Sequence, residues 1–491
     1  MGRIHDKFVV CCAGAIAVLL CAPAISHAIT ERSDGEAVDL TASCTIVQPE
    51  DYRRKQRITD GDVKTYSKIR TGTSLRVRWT DDEAVAGLYL KWYKLPSSFT
   101  LSEFDGDGNL LAWQTVEAPL YNAYYTVDTA TREITVESEN ALYLSEAMLF
   151  SDGTLPDGAF DWSSPAEKAD ILVIAAHPDD ELLYFGGTLP TYAGQRGLNV
   201  QVVYLTYDER ARIDEALSGL WTCGVRNAPV FLDFRDVYTE TLEEAEASWG
   251  RDTVTEAIVE AIRRFRPEVI VTHDLNGEYG HGAHMLVAAC TLDAVSAAAD
   301  GELFADSAQR YGVWQTQKLY LHLYGEGTIT MDWRVPLSAF DGKTALEVAN
   351  LAYARHLSQQ SFQHAVYDTG KYSSAEFGLA FSAVGADEDG NDFLEHIDPA
   401  RLSDYTEPEA DAEAQAEPAD TQALPEATAT PVQTPADTAA TPEPVVSQGI
   451  STRGRWIVLA AAVTLILICL VLLLRIKGDP PGTTMKNRNE R

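Results

Sequence analysis

Apolar and polar positions along the chain change rhythm near residue 169. Before that point they alternate. Leu75-Arg76-Val77-Arg78-Trp79, Leu88-Tyr89-Leu90-Lys91-Trp92-Tyr93 and Ile134-Thr135-Val136-Glu137 each read in period two, and Asp105-Gly106-Asp107-Gly108-Asn109 sits between two runs as a turn. Short alternating strands separated by turns predict an all-β domain, a β-sandwich, over residues 40–152. After it, Ile171–Ala176, Val200–Leu205 and Val269–Thr272 are continuous apolar runs, as in strands covered on both faces. Between them Val254, Ala257, Ile258, Ala261, Ile262 and Phe265 recur at helical spacing, with Pro267 as a stop. Repeated strand-then-helix units predict a doubly wound, Rossmann-like parallel sheet over residues 168–400, where chemistry collects at the carboxyl ends of the strands. The stretch from Glu376 to Glu395, rich in Gly, Asp and aromatics, reads as structural cover for one side of that domain.

The two ends follow other patterns. Arg3 and Lys7 precede an apolar run from Phe8 to Ile25, and Ser26-His27-Ala28 puts small residues at the −3 and −1 positions. These are the parts of a secretory signal over residues 1–28, cleaved after Ala28. Leu20 before Cys21 is too large for a lipoprotein site. From about Tyr405 to Gly449 the chain is Pro, Ala, Thr and Glu with few large apolar residues, a composition that cannot offset its ordering entropy; residues 405–450 read as a disordered stalk. Trp456–Leu474 is apolar except for Thr464, about the ~20 residues needed to span a bilayer. The basic residues of segment 475–491 place that tail in the cytoplasm. Together these segments predict a single-pass cell-membrane protein whose folded domains lie outside.

The 491 residues allow two folded domains plus such segments, and 45% hydrophobic content is enough for real cores. A net charge of −34 argues against nucleic acid or anionic lipid as a partner. Of seven cysteines, Cys11, Cys12, Cys21 and Cys469 lie in the two terminal apolar runs. Cys44, Cys223 and Cys290 remain, which is neither a disulfide framework nor a zinc knuckle. A Cys223–Cys290 disulfide and two buried free thiols are both open.

Chemistry gathers at two strand ends. The strand at 171–176 runs into His177-Pro178-Asp179-Asp180-Glu181, where three carboxyl groups and an imidazole need a cation or hydrogen-bond donors to coexist. Consecutive residues of a tight loop point different ways, so one Asp can bind a metal while its neighbour faces the reacting water. The strand at 269–272 runs into His273-Asp274-Leu275-Asn276-Gly277-Glu278-Tyr279-Gly280-His281-Gly282-Ala283-His284, with a helix beginning near His281 and His281 and His284 on one face of it. His and Asp from one loop and His from the other make a three-ligand N/O set with an open position, the usual arrangement of catalytic zinc. The plain alternative is an Asp acting only as a helix N-cap.

These two motifs resemble the PIG-L/LmbE deacetylases, over roughly residues 168–360. The resemblance implies zinc bound by His177, Asp180 and His284, Asp179 as general base, His281 polarising the intermediate or helping protonate, and Tyr279 near the oxyanion. The family usually has Pro-Asp where this chain has Gly282-Ala283, so the carboxylate that would orient His281 is missing. Arg212 and Asp236 fall where the family places substrate-binding residues; a surface salt bridge is the plainer reading of both. Residues 40–152 resemble the discoidin (factor 5/8 type C) galactose-binding-like domains through Ile58-Thr59-Asp60-Gly61-Asp62, the Leu88–Tyr93 strand and Leu142–Phe150. That resemblance implies a jelly-roll often used to hold glycans, with Asp60 and Asp62 either Ca2+ ligands or a turn.

The expected function is a surface-anchored, zinc-dependent hydrolase removing N-acetyl groups from N-acetylhexosamine-containing glycans or glycoconjugates. A surface glycan-binding adhesin with a non-catalytic deacetylase-like domain is the alternative. Cleavage of another amide or an ester is a third reading.

Overall fold

The computed structural model describes residues 35–47, 55–80, 82, 84–362 and 364–403, all within one structural unit. The expected signal (1–28), stalk (405–450), membrane span (456–474) and basic tail (475–491) lie outside the described residues.

The alternating runs form nine strands: β1 Thr45–Val47, β2 Ser67–Ile69, β3 Ser74–Arg78, β4 Gly87–Lys94, β5 Phe99–Phe104, β6 Leu110–Val116, β7 Asn122–Thr126, β8 Glu133–Glu137 and β9 Leu142–Phe150. They pair in two antiparallel sheets, of order β1-β3-β8-β5-β6 and β2-β9-β4-β7. Leu75, Val77, Phe99, Leu101, Ile134 and Val136 from the first sheet meet Leu88, Leu90, Trp92 and Leu144 from the second in one buried core. Period-two burial of apolar side chains therefore builds a sandwich directly.

The second domain begins with β10 Ile171–Ala175, followed by α1 Asp180–Leu183, β11 Val200–Tyr204, α2 Arg210–Thr222, β12 Val230–Phe231, α3 Leu242–Trp249 and α4 Arg251–Phe265. Then come β13 Val269–Thr272, α5 Gly282–Ala299, α6 Ala305–Tyr311, β14 Lys318–His322, β15 Thr328–Thr330, α7 Ala345–Tyr353 and β16 Glu376–Ser382. The sheet order is β12-β11-β10-β13-β14-β16-β15. Side chains of β10 split between two cores: Ile171, Val173 and Ala175 pack with residues of α2 and α7, whereas Leu172 and Ile174 pack with residues of α4 and α5. That is why β10 reads as a continuous apolar run. The first five strands are parallel, as predicted. The expectation of a wholly parallel sheet is corrected at one edge, where β16 runs antiparallel to both β14 and β15. An antiparallel neighbour needs only a returning chain and no crossover helix, so an edge strand can join this way. The Glu376–Glu395 stretch supplies β16 and the buried Phe377 and Phe393. Cys223 and Cys290 are buried free thiols, not a disulfide.

The sandwich packs against α2 through a buried polar cluster. Asp214 accepts from Lys91 Nζ (3.2 Å) and from Asn122 Nδ2 (2.6 Å). Arg210 donates through Nε to the Trp92 carbonyl (2.7 Å) and through a terminal nitrogen to Asn122 Oδ1 (2.5 Å). Lys91 and Asn122 pair with each other across β4 and β7. Two strands of one domain thus grip the first turns of a helix in the other.

Candidate active site

β11 and β13 flank β10, so the loops after β10 and β13 open side by side where the strand order reverses. Such a reversal leaves a crevice at the carboxyl edge of the sheet. The sequence after β10 turns sharply: Asp179 sits at φ 121°, and α1 begins at the next residue. Asp179 occupies the N-cap position, yet its side chain caps nothing. Instead its Oδ1 accepts from the Arg212 guanidinium at 3.0 Å, and Arg212 also donates to the Pro178 carbonyl. This ion pair is largely buried, unlike the surface salt bridge that Arg212 suggested from sequence.

Three atoms meet across the crevice. Asp180 Oδ2 lies 3.2 Å from His177 Nδ1 and 3.4 Å from His284 Nε2, and the two ring nitrogens are 3.3 Å apart. Ligands held tetrahedrally at ~2.0–2.1 Å from a zinc-sized ion stand about 3.3–3.4 Å from one another, so this triangle has the dimensions of one tetrahedral face. All three residues are buried. Burial alone would raise the Asp180 carboxyl, but the imidazoles of His284, His177 and His273 overturn that and hold it far below the usual carboxylate range. Asp179 goes the other way: burial raises its carboxyl against the pull of Arg212, and the Asp180 charge raises it further.

Ligand atoms also come close in two wider sets, His177–His281–His284 and Asp180–His273–His284. Hydrogen bonds exclude their extra members. The Ala176 N–H donates to His273 Nε2 at 2.9 Å, which occupies that lone pair. The Ala283 N–H donates to His281 Nδ1 at 3.2 Å, so His281 caps α5 and its proton sits on Nε2. His281 is thus just outside the predicted helix, with its ring stacked 4.6 Å from that of His284. Burial, together with the neighbouring His284 and His177, pushes its imidazole down to about 3, leaving it neutral. The residues that could hold a metal ion are therefore His177, Asp180 and His284.

Glu278, given no role by its local sequence, organises this set. It is fully buried and accepts from His284 Nδ1 (2.7 Å), His273 Nδ1 (2.9 Å) and His322 Nδ1 (2.7 Å). Burial would raise its carboxyl, but His273 and its other imidazole partners hold it well below the ordinary range. Donation from Nδ1 leaves the His284 Nε2 lone pair free for a cation, the usual outer support of a metal-bound histidine. The signal was present, because a Glu six residues before a candidate ligand lies in the same loop. His273 was visible in that motif, but His322, at the end of β14, carried no local signal.

Asp236 Oδ1 stands 3.7 Å from His177 Nε2, on the side away from the triangle. Tyr279, at φ 50°, is half exposed, with its ring 5.6 Å from that of His284. In the sandwich, Asp60 accepts from the Asp62 N–H (3.0 Å) and the Thr65 hydroxyl (2.9 Å), and Asp62 accepts from the Lys64 N–H (3.0 Å), so both aspartates shape a turn. The buried Glu146 carboxyl hydrogen-bonds Asp60 and is raised to about 8, by burial first and by Asp60 second.

Residues 172–295 match the PIG-L family, described as GlcNAc-PI de-N-acetylase. Over 180 residues the chain is 34% identical to a 1D-myo-inositol 2-acetamido-2-deoxy-alpha-D-glucopyranoside deacetylase of Rhodococcus jostii, a match covering 30% of this chain and 60% of that relative. Over 263 residues it is 29% identical to the deacetylase of the same name from Rhodococcus erythropolis, covering 45% of this chain and 88% of the relative. The chain thus spans less than two thirds of the first relative and most of the second. Among solved structures, N,N'-diacetylchitobiose deacetylase from Pyrococcus horikoshii is 20% identical, with 41% of this chain and 74% of that chain covered and a TM-score of 0.31. The part of the chain that matches the PIG-L family, with deacetylases among its relatives, is therefore the part that carries both loops of the site.

Proposed function

We propose that this protein is a zinc-dependent N-deacetylase that removes acetyl groups from N-acetylhexosamine units of glycans or glycoconjugates. The observation that carries the reading is the triangle of His177 Nδ1, Asp180 Oδ2 and His284 Nε2, with Asp179 fixed beside it by Arg212. A bound divalent cation supplies Lewis acidity toward the amide carbonyl and brings the pKa of water toward ~7. Arg212 engages Oδ1 of Asp179, leaving Oδ2 to take the proton as water adds to the carbonyl carbon. His281, neutral and protonated on Nε2, donates a hydrogen bond to the developing oxyanion. Asp179, holding the proton taken from the water, returns it to the departing nitrogen. The C–N bond then breaks to yield acetate and a free amine. Tyr279 lines the same opening. Arg212 serves the base, and Asp236 is offered to substrate hydroxyls from the loop after β12.

The two terminal apolar segments support a location at the cell membrane, with segment 456–474 as the anchor and the folded domains outside.

The test uses full-length protein in detergent. Metal content is measured by mass spectrometry, and acetate release is assayed on chitooligosaccharides and wall polymers. One equivalent of zinc with acetate release, both lost in Asp180→Ala, is expected. Stoichiometric zinc with no acetate released across the panel would reject the deacetylase reading and favour a glycan-binding role.

A further inference from the structure

Two large aromatic rings stay in solvent beside the site: Tyr238 is 62% exposed and Tyr279 50%. Each stands nearly perpendicular to the His281 ring, with centroids at 5.0 Å (88°) for Tyr238 and 5.5 Å (86°) for Tyr279. Tyr279 only lines the opening in the proposed reaction, and Tyr238 takes no part in its proton transfers.

The backbone that presents Tyr238 is tied down on both sides. The Gly282 N–H donates to the Thr239 carbonyl at 2.9 Å, fastening the segment to the start of α5. Thr241 caps α3 by accepting from the Glu244 N–H at 3.2 Å. The Glu240 N–H donates to the Glu244 carboxylate at 2.9 Å, and the Trp249 indole N–H to the Arg235 carbonyl at 2.8 Å. Gly282 is required for this close approach, since a Cβ there would lie 2.2 Å from the Thr241 carbonyl oxygen and 2.7 Å from Thr239 Oγ1. The ring is thus exposed on an anchored loop, so a ligand that covers it pays little ordering cost.

The geometry points to Tyr238 as the platform on which the substrate's sugar ring stacks while its acetamido group faces His281 and the triangle. This rests on reading the site as a sugar N-deacetylase. One face of a pyranose is a patch of C–H bonds rimmed by hydroxyls. An aromatic ring matches the patch, and Asp236, two residues earlier on the same loop, is an acceptor for the rim. Tyr238 is therefore a specificity-determining residue: it selects for a ring attached to the amide rather than for the amide itself.

The experiment compares full-length, zinc-loaded wild type with Tyr238→Ala, Tyr238→Phe and Tyr238→Trp. Acetate release is followed on N,N'-diacetylchitobiose and on N-methylacetamide, which has the bond but no ring. Metal content and direct disaccharide binding by calorimetry are read alongside. Tyr238→Ala is expected to raise the disaccharide KM about ten-fold, or about 1.4 kcal/mol. Its kcat should fall by less than about three-fold and its zinc content should hold, because the contact removed is made equally in the ground and transition states. Phe and Trp should restore KM to within about three-fold, and turnover of the ringless amide should not change. An unaltered disaccharide KM in Tyr238→Ala would overturn the platform while leaving the deacetylase reading in place. If wild type releases no acetate but binds the disaccharide, and Tyr238→Ala binds it about ten-fold more weakly, the deacetylase reading falls and the platform stands. If wild type neither binds nor cleaves the disaccharide, the platform is wrong, and silence on the wall polymers as well would overturn the deacetylase reading.

Discussion

Replacing Glu278 tests how the site is held together. Its carboxylate accepts three imidazole N–H bonds of 2.7, 2.9 and 2.7 Å, from His284, His273 and His322, and none of the four residues is exposed. A buried donor left without a partner costs about 1–3 kcal/mol, so Glu278→Ala, which orphans the three imidazoles and the Asp274 N–H, costs about 4–12 kcal/mol. That is comparable with the whole net stability of a domain, about 5–15 kcal/mol, so the alanine variant should be poorly folded. Glu278→Gln is gentler. Its amide oxygen, placed where Oε2 now lies, still accepts from His273 and His284. Its NH2 then faces His322, whose other nitrogen already meets the Ser373 carbonyl at 2.9 Å, and the Asp274 N–H, which loses its acceptor. Shape survives and charge is lost, which removes about 1.5–3 kcal/mol of charge-assisted bonding. Loss of a carboxylate behind a ligating histidine weakens metal binding by about 10–100-fold. The assay is zinc competition against a chromophoric chelator, paired with thermal melting of full-length protein with and without zinc. Wild-type zinc affinity in Glu278→Gln, or an alanine variant that melts with the parent, would refute this account of the three-histidine cluster.

Glu146 gives a pH dependence. Its folded carboxyl is raised to about 8 from an ordinary 4.5, so the fold favours the protonated form. As pH rises through that window the unfolded chain has released its proton while the folded one has not, and stability falls. In chelator, the melting temperature of wild type relative to Glu146→Gln should decline between about pH 5 and 8; parallel curves would contradict the assignment. Asp214→Ala removes the counter-charge from the buried Lys91 and Arg210, which should cost about 3–5 kcal/mol. It should also lower acetate release, because α2 carries Arg212 two residues from Arg210. A melting temperature within error of the parent would rule out the clamp between the domains. Gly282→Ala forces a methyl against the Thr241 carbonyl and should cost about 1–3 kcal/mol by overpacking, with increased proteolysis of the 235–241 loop as a second readout; neither effect would mean that the loop yields freely.

Part of the architecture was written in local pattern. Alternation in Leu75–Trp79 specified a strand with one buried face, and the unbroken run Ile171–Ala176 specified a strand covered on both, because side-chain direction in a strand depends only on residue parity; Leu88–Tyr93 also alternates, yet tertiary packing buries Tyr89 and Lys91 on its second face. The consecutive residues His177 to Glu181 announced a crowded turn whatever the rest of the chain did. Other features had no local signature. His177 and His284 are 107 residues apart, and their 3.3 Å approach exists because β10 and β13 are neighbours in the sheet. His322 joined the cluster only because β14 lies beside β13. Arg212 looked like a surface charge until α2 set it against Asp179, and β16 could not be recognised as antiparallel from its own residues. Periodicity records which face of an element avoids water. Which elements become neighbours, and which polar groups then share one buried carboxylate, is decided by long-range packing, where leaving any of those groups unpaired is costly.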